Sequence, residues 1–331
     1  MFRHQRRDDP SPSLHAALTD SVAAVYNEAG DDYVAYADGD PQRLFSFEGL
    51  HAYSDQRVWS LLESKLRDIR NGGGSSVRIL DAGCGPGTWL RRCVVRARQL
   101  GFAEIAARGF DIADAQIRTA RRLARDLIEL PGVRLTFDVA DLTERFSEAD
   151  DSVDLTLCLY SVLSHLPVAS LPQVTQEMGR VTRGHCLATV RSIGSRPTIF
   201  VDSIEKAQRF QLDHGRDRCE VELCNGRRIA LNFHLFKAGE LRDCFAIQFE
   251  IEELSGLDIF HDRFMPDARW NPASMRVDRE LMRHLAELEE AYARTPAFME
   301  RATHLLFMGR RRSRRDDGVS TVRQFDLRKA Q

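Results

Sequence analysis

A parallel, doubly wound α/β sheet is the fold class this sequence predicts, and three features predict it. Short apolar runs alternate with helical periods from Val77 to Arg191, a glycine-rich loop follows the first run, and acidic residues close or follow the first three. Val77 to Asp81 reads as the first strand, and Thr88 to Leu100 as the helix after the loop, closed by Gly101. Ile105 to Asp111 makes the second strand. The helix after it, Asp114 to Leu130, carries Ile117, Ala120, Ala124, Leu127 and Ile128 on one side until Pro131-Gly132 stops it. Val133 to Val139, Val153 to Tyr160 and His185 to Arg191 supply strands three to five, with a helix near Ser170 to Arg180 between the last two.

The flanking segments are additions to that core. Residues 1–12 are polar and proline-bearing and read as a flexible arm. Ser13 to Ala29 is a helix stopped by Gly30, and Ser54 caps a second helix with Val58, Leu61, Leu62, Leu66 and Ile69 on its buried stripe, ended by Gly72-Gly73-Gly74. Residues 13–74 are therefore expected to form an N-terminal helical lid or cap over a core at 75–309. Beyond the fifth strand, Asp202 to Leu212 reads as helical. Arg218 to Cys224 and Arg227 to Leu235 flank Asn225-Gly226, a strong hairpin signal. Ala238 to Phe245 is a helix, Gln248 to Leu254 a strand, Asp278 to Arg294 a long helix and Thr303 to Gly309 the last strand. Insertions thus fall at 193–237 (lid and hairpin) and 257–302 (helical), and residues 310–331 form a flexible basic tail.

Composition narrows the function classes. The 331 residues carry 47 Lys+Arg against 49 Asp+Glu, a formal net charge of −2, which argues against a strongly basic nucleic-acid binder and against a highly charged disordered chain. The basic run Arg310-Arg311-Arg312-Ser313-Arg314-Arg315 reads as a solvated tail. No window approaches the roughly 18 consecutive apolar residues of a spanning helix, and no apolar stretch follows the first basic residues, so neither export nor membrane insertion is indicated. Seven scattered cysteines, an odd number, fit a reducing, cytoplasmic compartment. Cys219 and Cys224 lie five residues apart in one strand and project to opposite faces. With no CxxC and no His-rich cluster, no metal is assigned.

The segment Val77-Arg78-Ile79-Leu80-Asp81-Ala82-Gly83-Cys84-Gly85-Pro86-Gly87-Thr88 carries the functional signal. Glycines at alternate positions after a strand let the backbone approach a ligand and aim N–H groups at it, and the loop lies at the carboxyl end of the first strand, where open α/β sheets bind ligands. The dinucleotide pattern G-x-G-x-x-G is broken, because Gly87 comes one position early and Thr88 fills the third glycine's slot. No Gly-Lys-Ser/Thr follows, so a P-loop is excluded.

This stretch closely resembles the first motif of the class I S-adenosylmethionine-dependent methyltransferases. Gly109-Phe110-Asp111-Ile112 matches the family's second motif, Val139-Ala140-Asp141-Leu142 its third, and the run from Asp154 through Leu159 and Tyr160 to His165 its fourth strand. The resemblance covers residues 77–192 and, less closely, the last two strands. It implies a Rossmann-like, doubly wound, seven-stranded, mostly parallel sheet with an antiparallel last strand, plus an N-terminal helical lid and an inserted hairpin. It also implies S-adenosylmethionine as cofactor, with the methionine part over Asp81, Gly83, Cys84, Gly85 and Gly87, the ribose on Asp111 with Ile112, the adenine on Asp141 with Leu142, and Leu159 beside the methyl group.

The expected activity is methyl transfer to a small polar metabolite through an N, O or S acceptor. The family's Asn-Pro-Pro-Tyr of base methylation is replaced here by Leu159-Tyr160-Ser161-Val162, and the Pro-Cys pair of cytosine-5 enzymes is missing, so neither nucleic acid nor membrane is an expected partner. His165 is the candidate general base, with a reference pKa near 6.5, against a polar cap at a helix start, and Tyr26 is a second candidate catalytic residue, an aromatic ahead of the core that could close over the cofactor. Tyr33, Tyr36 and Tyr53 are further aromatics that could face the sulfonium. His214, His234 and His261 read as structural, as does Cys84. The alternatives are an NAD-dependent oxidoreductase on a similar fold and a non-catalytic cofactor-binding protein.

Overall fold

The computed structural model describes residues 14–38, 43–47, 51–195, 207–224, 226, 228–261 and 279–313. The expected arm at 1–12, Asn225 of the hairpin turn, the stretch 262–278 of the second insertion and the tail beyond 313 lie outside the described residues, as does the side chain of Tyr36.

Seven strands form one sheet in the order β3-β2-β1-β4-β5-β10-β9. They are β1 (Ser76–Ala82), β2 (Glu104–Asp111), β3 (Val133–Val139), β4 (Val153–Cys158), β5 (Thr182–Arg191), β9 (Phe249–Leu257) and β10 (His304–Arg311). β1 to β5 pair in parallel, while β10 runs antiparallel to both β5 and β9. This is the predicted Rossmann-like sheet with an antiparallel last strand. The order reverses between β1 and β4, so the carboxyl ends of these two strands open a crevice there.

Both faces are covered. Ile79 and Ile105 face a layer made by α2 (Ala52–Asn71), α3 (Thr88–Gln99) and α4 (Asp114–Leu123), through Val58, Leu62, Leu66, Leu90, Val94 and Ile117. Leu80 and Phe110 point the other way, toward α6 (Leu171–Val181) and α7 (Ala238–Ala246), where Val174, Met178, Leu241 and Phe245 pack. Adjacent residues of β1 serve opposite layers because side chains alternate along a strand, and a strand buried on both faces is apolar throughout.

A second, three-stranded antiparallel sheet is built from β6 (Ala207–Asp213), β7 (Arg218–Leu223) and β8 (Arg228–Asn232). Against it lies α1 (Leu14–Asp38): Val22, Val25 and Ala29 bury their side chains with Cys219, Val221, Leu231 and Phe233. Cys219 is buried and Cys224 exposed, as their opposite faces require. Short helices α5 (Arg125–Ile128) and α9 (Pro296–Met299) and the longer α8 (Arg279–Tyr292) complete the described chain.

Three local readings are corrected and the stop at Gly30 is kept. The segment predicted as a helix over 202–212 runs as strand β6 from Ala207, with Phe210 opposite Val221 and Leu212 opposite Cys219; its alternating apolar residues satisfy a period of two, and β7 supplies the hydrogen bonds. The predicted stop at Gly30 stands: its φ of 47° and ψ of −129° leave the helical region and break α1 there, and a further helical stretch runs on to Asp38. Ser54 is not a cap: it sits inside α2, fully buried, and its hydroxyl donates to Asp258. The helix predicted over 114–130 breaks after Leu123 and resumes as α5.

Gly87 joins the loop to α3 in the left-handed region at φ +78°, and a Cβ there would stand 2.6 Å from Phe137 Cε1 and 3.1 Å from Ala120 Cβ. Gly85, at φ +50°, would meet nothing closer than Tyr33 Cε1 at 3.9 Å. Left-handed backbone costs a residue with a Cβ about 1–2 kcal/mol, and overpacking adds about 1–3 kcal/mol. Gly87→Ala is therefore expected to lose about 2–5 kcal/mol in urea denaturation and Gly85→Ala only about 1–2 kcal/mol; equal losses would show that Phe137 does not close on the loop.

Candidate functional site

The loop between β1 and α3 is held by the end of β2. Gly83 and Cys84 donate their N–H groups to the carbonyl of Phe110 at 2.8 and 2.9 Å, and Gly85 donates to Asp111 Oδ2 at 2.9 Å. The other oxygen of Asp111 accepts the N–H of Ala113 at 2.9 Å. Three left-handed glycines in five residues turn the loop tightly enough to present its inner face to one large pocket.

That pocket gathers nearly every residue singled out from the sequence. Asp81, Gly83, Cys84, Gly85, Asp111, Ile112, Asp141, Leu142, Leu159, Tyr26 and His165 all line it, whereas Gly87 stands behind the loop against Phe137. Asp141 sits in the loop after β3, its Oδ1 fixed by the N–H and hydroxyl of Thr143, both at 2.8 Å. The pocket also collects Tyr160, from the run matched to the fourth strand, and Trp89, His51, Asp55, Arg191, Phe233 and His304, which the sequence did not single out. Tyr53 and Tyr33 divide: Tyr33 lines the pocket, and Tyr53 stacks on His261 at 4.4 Å between ring centres.

Burial sets the ionisation of the acids. Asp81 is 2% exposed, and burial together with the nearby charge of Asp111 pushes its pKa up to about 8. Asp111 is raised by burial against the N–H groups of Ala113, Gly85 and Ile112, which favour its charged form. Cys84 is pushed well above the usual thiol range by burial and by the two carboxylates, so it is a packed thiol rather than a nucleophile.

Tyr26 of α1 and His165, at the end of the 3-10 turn after β4, form a pair. Tyr26 Oη lies 3.0 Å from His165 Nε2, and His165 Nδ1 lies 3.1 Å from the carbonyl of Asn232 in β8. A carbonyl only accepts, so Nδ1 carries the proton, and Nε2 accepts the tyrosine hydroxyl. Burial pushes His165 down to about 4, opposed by the Asn232 carbonyl and aided by the charge of Arg191.

The remaining histidines divide as follows. His234 is clamped between Asp217 and Glu240 at 2.7 Å each, and these hydrogen bonds outweigh burial to raise its pKa. His261 packs on Glu289 and Tyr53, and His214 is exposed in a turn. Beyond Trp89 and Tyr160, whose rings lie 5.8 Å apart, the Tyr160 hydroxyl donates to Asp55, and His51 and His304 flank the tyrosine ring.

Residues 79–185 match the family model described as a methyltransferase domain. Among solved structures, geranyl diphosphate C-methyltransferase from Streptomyces coelicolor, held with Mg2+, geranyl diphosphate and S-adenosyl-L-homocysteine, is 15% identical over 92% of this chain and 100% of its own, at a TM-score of 0.49. Magnesium protoporphyrin IX methyltransferase from Synechocystis with bound S-adenosyl-L-homocysteine is 14% identical over 85% of this chain and 97% of its own, at 0.43. A protein from Pyrococcus horikoshii is 14% identical over 84% and 96%, at 0.48. No curated protein matches the chain.

The buried acid at the end of β1 makes stability depend on pH. An unfolded aspartate titrates near 3.9, whereas folded Asp81 titrates at about 8. Between those values the folded chain keeps a proton that the unfolded chain has lost, so stability falls as pH rises through that window and levels above it. Asp81→Asn is expected to flatten the decline and to be the more stable protein at pH 8 in the absence of ligand. A variant that keeps the full slope in denaturant titrations would assign the decline to other groups.

Proposed function

We propose that this chain, whose core is a class I S-adenosylmethionine-dependent methyltransferase domain, transfers the methyl group to a small polar metabolite in the pocket between the glycine loop and the Tyr26–His165 pair. The observation that carries the proposal is the composition of that one pocket. Loop and acids form one side of it, and a proton-accepting pair and an aromatic wall form the other.

The residues fit the cofactor. Gly85 leaves space on its open side, and the carboxylates of Asp111 and Asp141 each have lone pairs beyond those spent on neighbouring donors. Asp111 would accept the ribose hydroxyls, Asp141 the adenine amino group, and Ile112 and Leu142 would flank the base. Asp81, with Gly83, Cys84 and Leu159, would face the methionine part, whose ammonium favours the charged carboxylate that burial alone disfavours. Bound there, the cofactor supplies a methyl group on a sulfonium, open to in-line displacement.

What the chain adds is position and a route for one proton. Tyr26 Oη is hydrogen-bonded to His165 Nε2, so a proton taken at Oη from an acceptor O–H or N–H is matched by the tyrosine's own proton passing to Nε2. The Asn232 carbonyl stabilises the imidazolium that results. α1 and the β6–β8 sheet, which bring Tyr26, Phe233 and Asn232 to the pocket, act as its lid. Seven thiols with no disulfide among the described residues suit a cytoplasmic setting, and no described helix is long and apolar enough to cross a membrane.

The test is a metabolite extract incubated with the protein and methyl-labelled cofactor, read by mass spectrometry. Label in a small metabolite is expected; label confined to nucleic acid or protein would overturn the acceptor class. Asp111→Ala removes hydrogen bonds of about 1.5–3 kcal/mol to a charged acceptor and should weaken S-adenosylhomocysteine binding roughly ten- to a hundredfold in calorimetry. Unchanged affinity would remove the ribose assignment.

His165→Asn should lower kcat by about 10²–10⁴ and leave that affinity nearly unchanged. The sequence places the acid limb of the rate near pH 6.5, but burial moves it: with Tyr26, the Asn232 carbonyl and Arg191 around the ring, the base is neutral above about 4. The wild-type kcat profile is therefore expected to rise near pH 4 and stay flat through 6.5. A variant fully active on a hydroxyl or amine acceptor would leave positioning as the only source of rate.

A further inference from the structure

Three side chains that chain order keeps far apart meet at the pocket wall. His51 precedes α2, Asp258 follows β9 and His304 opens β10, and their donor atoms all lie within 4.8 Å of one another. The pairing of β10 with β9 sets His304 opposite Leu257, the neighbour of Asp258, so strand register fixes two of the three. Ser54, in the first turn of α2, donates its hydroxyl to Asp258 Oδ2 and fastens the third element. His51 Nδ1 stands 3.6 Å from that same oxygen, beyond hydrogen-bond length.

The cluster holds unmet polar atoms deep in the protein. Asp258 is 1% and His304 3% exposed, yet Oδ1 of the aspartate and Nδ1 of the histidine have no hydrogen-bond partner among the described residues. Buried atoms of this kind are costly and normally find a group, a water or an ion. Among the described residues, the His51 ring is the only basic side chain within 4.0 Å of the Asp258 carboxylate. A cation answers both needs at once, taking the imidazole lone pair and balancing the carboxylate charge, where a water molecule leaves that charge uncompensated.

From this convergence we infer that His51, Asp258 and His304 bind one divalent first-row transition-metal ion, with its remaining coordination positions toward the pocket. Two imidazoles and a carboxylate suit manganese, iron, cobalt, nickel or zinc, whereas calcium and magnesium favour sets made of oxygen. Metal–donor bonds of roughly 2.0–2.2 Å put neighbouring donors about 3–4 Å apart on one ion, so a contraction of about 1 Å closes the set. His51 and His304 line the same pocket as the glycine loop, and the Tyr160 ring at the end of β4 lies 6.1 and 5.6 Å from theirs. The open positions therefore suit an acceptor that binds through oxygen, a hydroxyl or a chelating pair of oxygens, whose O–H the ion makes more acidic. That role, unlike the binding itself, rests on the methyltransferase reading of the pocket.

Cobalt(II) chloride titrated into the untagged, chelator-stripped full chain tests the site, followed by visible absorption and calorimetry. One ion per chain is expected. Loss of even an outer partner costs roughly 10–100-fold in metal affinity, so His304→Gln and Asp258→Asn should each bind at least about 100-fold more weakly. Equal binding in wild type and variants, or no binding by wild type, overturns the site. S-adenosylhomocysteine binding is measured on the same samples: cofactor binding without cobalt sinks the metal site alone, and cobalt without cofactor sinks the cofactor reading alone. Should the variants not fold, X-ray absorption of the wild-type cobalt complex decides, because two imidazole ligands are expected and fewer than two overturn the inference.

Discussion

The hydrogen bond from the Gly85 N–H to the Asp111 carboxylate is the contact on which the rest of the site depends. It ties the loop after β1 to the end of β2, and the loop can reach that carboxylate only because Gly83, Gly85 and Gly87 take positive φ. Close packing follows from the same geometry. A Cβ on Gly83 would stand 2.5 Å from Val162 Cγ1, in the turn that carries His165, and one on Gly87 would run into Phe137 of β3. The three strand ends that meet the pocket are thus locked together through atoms that leave no room for a side chain.

Electrostatics at the two ends of the pocket follow from what is buried with what. Asp81 and Asp111 share a water-poor site with no described basic side chain in hydrogen-bond contact; burial raises both, the charge of Asp111 adds to the cost of ionising Asp81, and backbone N–H groups relieve only Asp111. Such a site is set to receive positive charge. At the other end, Arg191 works against protonation of His165, and the imidazole keeps its lone pair for Tyr26.

The core was legible because its signals are local. β1 to β5 follow from apolar runs closed by turns, and Asp81, Asp111 and Asp141 follow from their place at or after strand ends, where topology alone brings them to one crevice. That Tyr26 pairs with His165 has no signal in the sequence, since 139 residues separate them and the helix, the turn and β8 must all be in place before the hydrogen bonds exist. β6 was misread because Phe210 and Leu212 show their period of two only once β7 lies opposite. His51, Asp258 and His304 carry no shared spacing, so only the antiparallel pairing of β9 with β10 and the seating of α2 could reveal them as neighbours.

The end of β4 is where the fold accepts strain to make this arrangement. Tyr160 and Ser161 both take positive φ, 52° and 72°, without being glycine, at a cost of order 1–3 kcal/mol each. The surrounding chain over-determines them: Thr189 of β5 accepts the Tyr160 N–H on its hydroxyl at 2.6 Å and the Ser161 N–H on its carbonyl at 3.2 Å, and the Tyr160 hydroxyl is taken by Asp55 of α2. A relaxed, extended continuation of the strand would carry the tyrosine ring away from Trp89 and from the two histidines it now touches. The strained turn instead swings Tyr160 toward Trp89, His51 and His304 and starts the 3-10 turn that sets His165 at Tyr26, so one costly pair of residues positions two side chains of the pocket wall.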